Sequence, residues 1–345
     1  MLKNGQTGWI TSLFSTILVV LMLSSCTQKE VLISPNINME TTTPDNEVAA
    51  TYKDGKVTKV ELQKFIDALT FINPSQAQNK DIPAFREFIL KQLVMSKILT
   101  AHASEQSKSA AEIKVKQQID PINQMDLKNR EEFEKNLIAA NLEFADIEQY
   151  FRLTLTTIED ISNKVTDQQV TDDFDEKVKA DPNAFAVVTL SHMLIAQKDP
   201  SDPAQEKDLR TKEEALRRAQ EVKDKLKNGG DFVALTKEYS DDSVSKDYGG
   251  KYEKVEVNEF VADFKKAALE LPLNTISEPI AGVSGYHIMK VESRSVRTFD
   301  EVKSSIRGKL ANDLIVEFMT KEFSSYNYKS NLPTPVPTVI PSILP

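Results

Sequence analysis

The chain has 345 residues, so more than one domain is expected, and its apolar content of 40% is that of a globular protein. Its net charge is −9 with no cluster of lysine and arginine, which argues against tracking along a nucleic acid, because phosphate contacts need concentrated cations. There is no glycine-rich phosphate loop, and a single cysteine excludes an intrachain disulfide and a cysteine-built zinc site.

At the N-terminus Lys3 precedes an apolar stretch from Trp9 through Leu23, which runs into Leu23-Ser24-Ser25-Cys26. A charged start, an apolar core and small residues at a cut site are the parts of a signal peptide. A transmembrane helix is the competing reading, but the stretch is short for a full span. Leu23-Ser24-Ser25-Cys26 resembles a bacterial lipobox, which implies cleavage before Cys26 and lipidation of that cysteine. Residues 1–25 are therefore expected to be signal peptide. Residues 26–46, rich in Ser, Thr, Asn and Pro without periodicity, are expected to be a flexible tether.

Residues 47–183 are expected to be a helical domain, with Val48 to Val170 reading as helix throughout. Thr58-x-x-Glu61 is a capping box before Leu62, Phe65, Ile66 and Leu69, and Asn73-Pro74 ends that helix. Pro83 opens the next at the first-turn position that tolerates proline. Ser109-x-x-Glu112 predicts a further capping box, and Asn129 a cap for Phe133 and Leu137. A longer helix carries Ile147, Phe151, Ile158 and Ile161, and Thr166-x-x-Gln169 opens one more that leads to Pro182.

The pattern then changes. Val187 to Ile195 is β-branched and apolar, with the alternation of a strand, and Gly285 to Val291 is a second run of the same kind. The period of two puts His192 on the face of Leu190 and Leu194, and His287 on the face of Met289 and Val291. Between the strands, Ala215, Ala219, Val222 and Leu226 fall at helical spacing before the stop Gly229-Gly230. Asp231 can cap a helix with Phe232, Leu235 and Tyr239, and a third helix holds Val261, Phe264, Ala268 and Leu271 before Pro272. Thr298-x-x-Glu301 opens a last helix through Val302, Ile306 and Leu310, and the proline-rich end is expected to be a disordered tail. The fold class is thus α+β: a small antiparallel sheet with surrounding helices, inserted in or flanked by a mostly helical domain.

Five stretches in order resemble the parvulin-type peptidyl-prolyl cis/trans isomerases. They are Ser191-His192-Met193-Leu194; Gly230-Asp231-Phe232; Tyr239-Ser240-Asp241-Asp242-Ser243 with Gly249-Gly250; Phe260-x-x-x-Phe264-x-x-Ala267; and Ser284-Gly285-Tyr286-His287-Ile288. The resemblance implies a parvulin-like isomerase domain at 184–296 and a site in which His192, His287, Asp242 and Ser284 hold the catalytic geometry. It also implies that Phe260 and Phe264 line a proline pocket, which Met193 and Tyr252 border. The layout of helical flanks is similar to secreted foldases of the PrsA and SurA type, which implies a chaperone-like helical domain to which a C-terminal helix at 297–328 returns, with residues 329–345 as the tail.

The sequence departs from the family at Gly249-Gly250-Lys251-Tyr252-Glu253, where Tyr252 replaces a leucine, and it lacks the basic cluster of the phosphate-directed members. A phosphorylated substrate is therefore not expected. Each residue also has a plainer reading. A strand histidine is usually a satisfied core residue, Ser240-Asp241-Asp242-Ser243 is good turn chemistry, and Phe260 and Phe264 suit a helix core. No cofactor and no metal are expected. The resulting expectation is a membrane-anchored, extracytoplasmic foldase that acts on unfolded secreted polypeptides, with a non-catalytic holdase as the rival; nucleic acid is not an expected partner.

Overall fold

The computed structural model describes residues 47–200 and 207–333, so the expected signal peptide, the tether, Cys26 and residues 334–345 of the expected tail lie outside the described residues. The chain divides into two compact units, the first running to Asp167 and resuming at Arg307, the second spanning Gln168–Ile306.

The first unit opens with a hairpin where helix was expected. Strands β1 (Val48–Tyr52) and β2 (Gly55–Thr58) pair antiparallel around Lys53-Asp54. Strand β7 (Lys329–Ser330) joins them to give the order β2-β1-β7. Tyr326 O accepts from Lys53 N at 2.7 Å, and Ala49 O accepts from Asn331 N at 2.8 Å. These strands are short, and half of their pairing comes from the far end of the chain, so local periodicity has little to report.

Five helices follow: α1 (Lys59–Ile72), α2 (Pro83–Ala101), α3 (Glu105–Asn123), α4 (Leu127–Ala139) and α5 (Phe144–Lys164). Thr58 caps α1, accepting from Glu61 N at 3.0 Å, and Pro83 stands in the first turn of α2. Two expected caps move upstream. Ser104, not Ser109, caps α3 and accepts from Ser107 N at 3.1 Å; Asp126, not Asn129, caps α4 and accepts from Asn129 N at 2.9 Å. In both cases the cap is the residue held extended (ψ 152° and 160°), which leaves Ser109 and Asn129 already inside the helix. Leu62, Ile66, Leu90, Leu93, Ile147 and Phe151 form the buried centre.

The second unit begins with α6 (Asp167–Ala180) and surrounds a four-stranded antiparallel sheet of order β4-β3-β6-β5. Its strands are β3 (Ala186–Ala196), β4 (Lys251–Glu256), β5 (Ile280–Ala281) and β6 (Gly285–Val296). Between β3 and β4 come α7 (Lys212–Lys227) and α8 (Phe232–Tyr239); α9 (Ala262–Glu270) precedes β5, and α10 (Phe299–Glu317) follows β6. The compact unit is wider than the expected 184–296. Phe174 of α6 stacks on Phe185 at 5.0 Å and meets Phe299 edge-on at 5.3 Å, so the aromatic contacts carry both flanking helices with the sheet.

The alternation of β3 and β6 divides the core in two. Met193, Ile195, Tyr286 and Ile288 face α7 and α8, where Ala215 and Ala219 allow close approach and Val222, Leu226 and Phe232 fill the layer. Val188, Leu190, Met289 and Val291 face the other way, against Phe260, Phe264 and Ala268. A register shift between Thr189 and Leu190 preserves this division where β3 pairs with β6.

Candidate active site

The register sets the two histidines. His192 lies opposite Met289 and Leu194 opposite His287, so the two imidazoles are diagonal neighbours on one face of the sheet. Their Nδ1 atoms are 3.3 Å apart. Asp242 reaches the same place from the loop after α8, with its Oδ2 3.2 Å from His192 Nε2.

That carboxylate is saturated with donors. Ser245 Oγ and, at 3.2 Å, the Tyr252 hydroxyl donate to Oδ2, while Val244 N donates to Oδ1 at 3.0 Å. The bond from His192 holds the Asp242 carboxyl well below the usual carboxylate range, with help from Ser245 and Val244 and against the cost of partial burial. Burial raises the Tyr252 hydroxyl above its ordinary value, so it remains a protonated donor.

The protons can then be assigned. An ionised Asp242 only accepts, so His192 Nε2 carries a hydrogen. His287 is pushed down to about 4 by burial and by the neighbouring His192, partly offset by Asp242, and is neutral at physiological pH. The Nδ1–Nδ1 contact joins His287 to His192, so the three side chains form a line from His287 through His192 to Asp242. Gly282 backs the far side of His287, where a Cβ would stand 2.7 Å from Nε2.

Aromatic rings wall this polar line. Phe264 meets His192 and His287 edge-on at 5.9 and 5.2 Å, Phe260 packs edge-on against Phe264 at 4.9 Å, and Tyr252 lies 5.2 Å from His192. Arg294 of β6 fixes the helix bearing Phe264: its Nε donates to Ala268 O at 2.8 Å and its terminal nitrogen to Leu271 O at 2.9 Å, satisfying the last carbonyls of α9. Gly250 lets β4 approach. Its φ is +70°, and a Cβ there would sit 1.9 Å from His192 O, while its own carbonyl accepts from His192 N at 2.9 Å.

His192, His287, Asp242, Tyr252, Phe260 and Phe264 are thus together. Two expected members are not among these side-chain contacts. Met193 is fully buried on the opposite face of the sheet, packed toward α7 and α8, because adjacent strand residues point to opposite sides. Ser284 contributes its backbone: its carbonyl accepts from Gln197 N at 2.7 Å and Lys198 N at 3.2 Å, tying the start of β6 to the end of β3. Ser245, buried and bonded to Asp242, is a member that the sequence reading passes over. Among the described residues no group of three or more His, Cys, Asp or Glu is placed to hold a metal ion.

The geometry offers an aromatic wall beside a line of two imidazoles and one fully engaged carboxylate, with no group arranged as a nucleophile. This suits a reaction in which no bond is made or broken. Residues 176–295 match the family model described as the PPIC-type PPIase domain, so the second unit is a parvulin-type peptidyl-prolyl cis-trans isomerase domain. Along most of its length the chain is similar to PrsA foldases. It is 27% identical over 317 residues to "Foldase protein PrsA" of Caldanaerobacter subterraneus subsp. tengcongensis, covering 88% of this chain and 89% of that protein. It is 46% identical over 90 residues to "Foldase protein PrsA 3" of Bacillus anthracis, an alignment that covers 26% of this chain and 32% of that one. Among solved structures, peptidylprolyl isomerase (PrsA) from Bacillus anthracis aligns with 24% identity and a TM-score of 0.36 over 69% of this chain and 94% of its own.

Proposed function

We propose that this protein is an extracytoplasmic foldase, held at the bacterial membrane by a lipid on Cys26, that turns over X-Pro bonds in unfolded secreted polypeptides. In this reading the helical unit holds the client chain and the isomerase domain acts on its prolines. Leu23-Ser24-Ser25-Cys26 supports the anchor. Among the described residues, no helix is long and apolar enough to cross a membrane.

The observation that carries the catalytic part is the aromatic wall of Phe260, Phe264 and Tyr252 set against the His287–His192–Asp242 line. Rotation about an X-Pro bond is slow because amide resonance must be lost, a barrier of roughly 18–20 kcal/mol. A site lowers it by binding the twisted amide better than the planar one. Phe260 and Phe264 would take the proline ring and exclude water from the carbonyl, and the bonded imidazoles keep the floor of the site fixed. Asp242, with four donors already, would act by holding His192 rather than by meeting the substrate.

The test is the isomerisation rate of a short non-phosphorylated X-Pro peptide with the wild-type chain and with Phe264→Ala and Asp242→Ala, each checked for fold by circular dichroism. The proposal expects an active wild type and slower variants of unchanged fold. Equal rates in all three would place the chemistry elsewhere.

A further inference from the structure

We infer that Arg210 is a positioning residue for isomerisation: its guanidinium clamps Asp241 to the end of β3 and so fixes where Asp242 meets His192. This rests on the isomerase site described above.

Strand β4 pairs with β3 only from Val187 to Ser191, which leaves the far edge of β3 open beside the site. Ser240 and Asp241 fill that edge in place of a strand. Asp241 N donates to Leu194 O at 2.8 Å, and Ala196 N donates to Asp241 Oδ2 at 2.8 Å. Ser240 Oγ accepts from both Leu194 N and Asp242 N, each at 3.2 Å. The next residue, Asp242, then turns toward His192.

Arg210 closes this arrangement from outside. Its guanidinium donates to the Ala196 carbonyl and to both oxygens of Asp241, the second at 3.3 Å. Its own backbone is held as well, since Leu209 N and Arg210 N both donate to Gln197 O. The side chains of Arg210 and Asp241 are only 19% and 21% exposed, so this pair is not one of the solvent-screened surface contacts whose loss goes unnoticed. One planar fork reaches the carboxylate and the strand carbonyl together, which the point charge of a lysine cannot reproduce.

The consequence for the site is geometric. The Asp242–His192 contact is 3.2 Å, at the edge of a useful hydrogen bond, so a displacement of about an ångström in the 240–242 turn would break it. The wall of Phe260 and Phe264 stands on other elements and would be unaffected. Loss of Arg210 should therefore weaken the reaction and leave ground-state binding alone.

The experiment uses the full chain labelled with ¹⁵N-histidine, as wild type, Arg210→Ala, Arg210→Lys and Lys223→Ala. The last breaks an ion pair to Glu278 in the same unit but outside the site. Imidazole ¹⁵N shifts report the His192 Nε2 bond, and peptide affinity is measured separately from kcat/KM. The expected result for Arg210→Ala is a His192 Nε2 shift toward unbonded imidazole, with kcat/KM lower by about tenfold to a hundredfold and affinity within about twofold. Arg210→Lys falls between, and Lys223→Ala matches the wild type. Unchanged His192 shifts in a folded Arg210→Ala chain overturn the inference, as does an equal loss in Lys223→Ala. If Arg210→Ala does not fold, Arg210→Lys and Asp241→Asn carry the same test, and wild-type His192 shifts in both would overturn it. The ¹⁵N readout stands whether or not the wild type isomerises the peptide, so failure of the isomerase reading and failure of the clamp are separate results.

Discussion

Acid should destabilise the isomerase domain through His287. This side chain lies between Phe264, His192 and Gly282, and its pKa falls from the ordinary 6.5 to about 4 through burial and the neighbouring imidazole. The folded-state pKa is the lower one, so between these values the unfolded chain binds a proton that the folded chain does not. The stabilisation is complete above about pH 6.5 and is lost as pH falls toward 4. The gap between the two values corresponds to about 3 kcal/mol. Asp242, also held below its ordinary value, extends the loss at still lower pH, where its protonation removes the acceptor for His192. The assay is an NMR titration of the histidine Cε1–H signals in the full chain, assigned with His102→Gln and His287→Gln, alongside hydrogen exchange of β3 and β6 at pH 7.5 and 5. The site predicts a His287 midpoint well below 6.5 and faster exchange at the lower pH, with a flatter pH response in His287→Gln. A His287 that titrates at 6.5 or above would refute a buried, neutral imidazole at this position.

Three further outcomes follow from particular residues. Phe264→Ala removes edge contacts to His192, His287 and Phe260; each such pair is worth roughly 0.5–1.5 kcal/mol, and about 1.4 kcal/mol is tenfold in rate, so kcat/KM should fall at least tenfold in the peptide assay. Gly250→Ala combines a left-handed backbone with a Cβ 1.9 Å from His192 O, and should cost about 2–5 kcal/mol, read as a lower unfolding midpoint together with lost activity. Cys26→Ala should yield an unlipidated chain, released or retained as precursor, whereas an unmodified Cys26 thiol in the mature wild type, seen by mass spectrometry, would remove the basis for the anchor.

What the sequence showed follows from the range of the interactions involved. Strands β3 and β6 are apolar and alternate, so their faces could be read locally, whereas the pairing of His192 with His287, 95 residues apart, was legible only through the family resemblance. Helix α7 was legible for the same reason: Ala215, Ala219, Val222 and Leu226 are all buried. Strand β4 was not, since Lys251, Glu253 and Lys254 give it no apolar face and Lys254 has a φ of 51°. The sheet made by β1, β2 and β7 joins residues about 280 positions apart, as in the Ala50–Ser330 pairing, and no local pattern encodes that. The place of Met193 was available, because its parity is opposite to that of His192; a motif match drew it toward the pocket. Arg210 left no trace, since its partners Ala196 and Asp241 are set by the fold alone.

The site built by His192, Asp242, His287 and the aromatic wall is expected to turn over proline bonds without covalent chemistry. The most direct measurement is NMR exchange spectroscopy of a short non-phosphorylated X-Pro peptide with a catalytic amount of the full wild-type chain at pH 7.5. Uncatalysed interconversion takes tens to hundreds of seconds, so exchange cross-peaks between cis and trans signals within about a second are the predicted result. Spectra showing no exchange beyond the uncatalysed rate would mean that this site does not catalyse isomerisation.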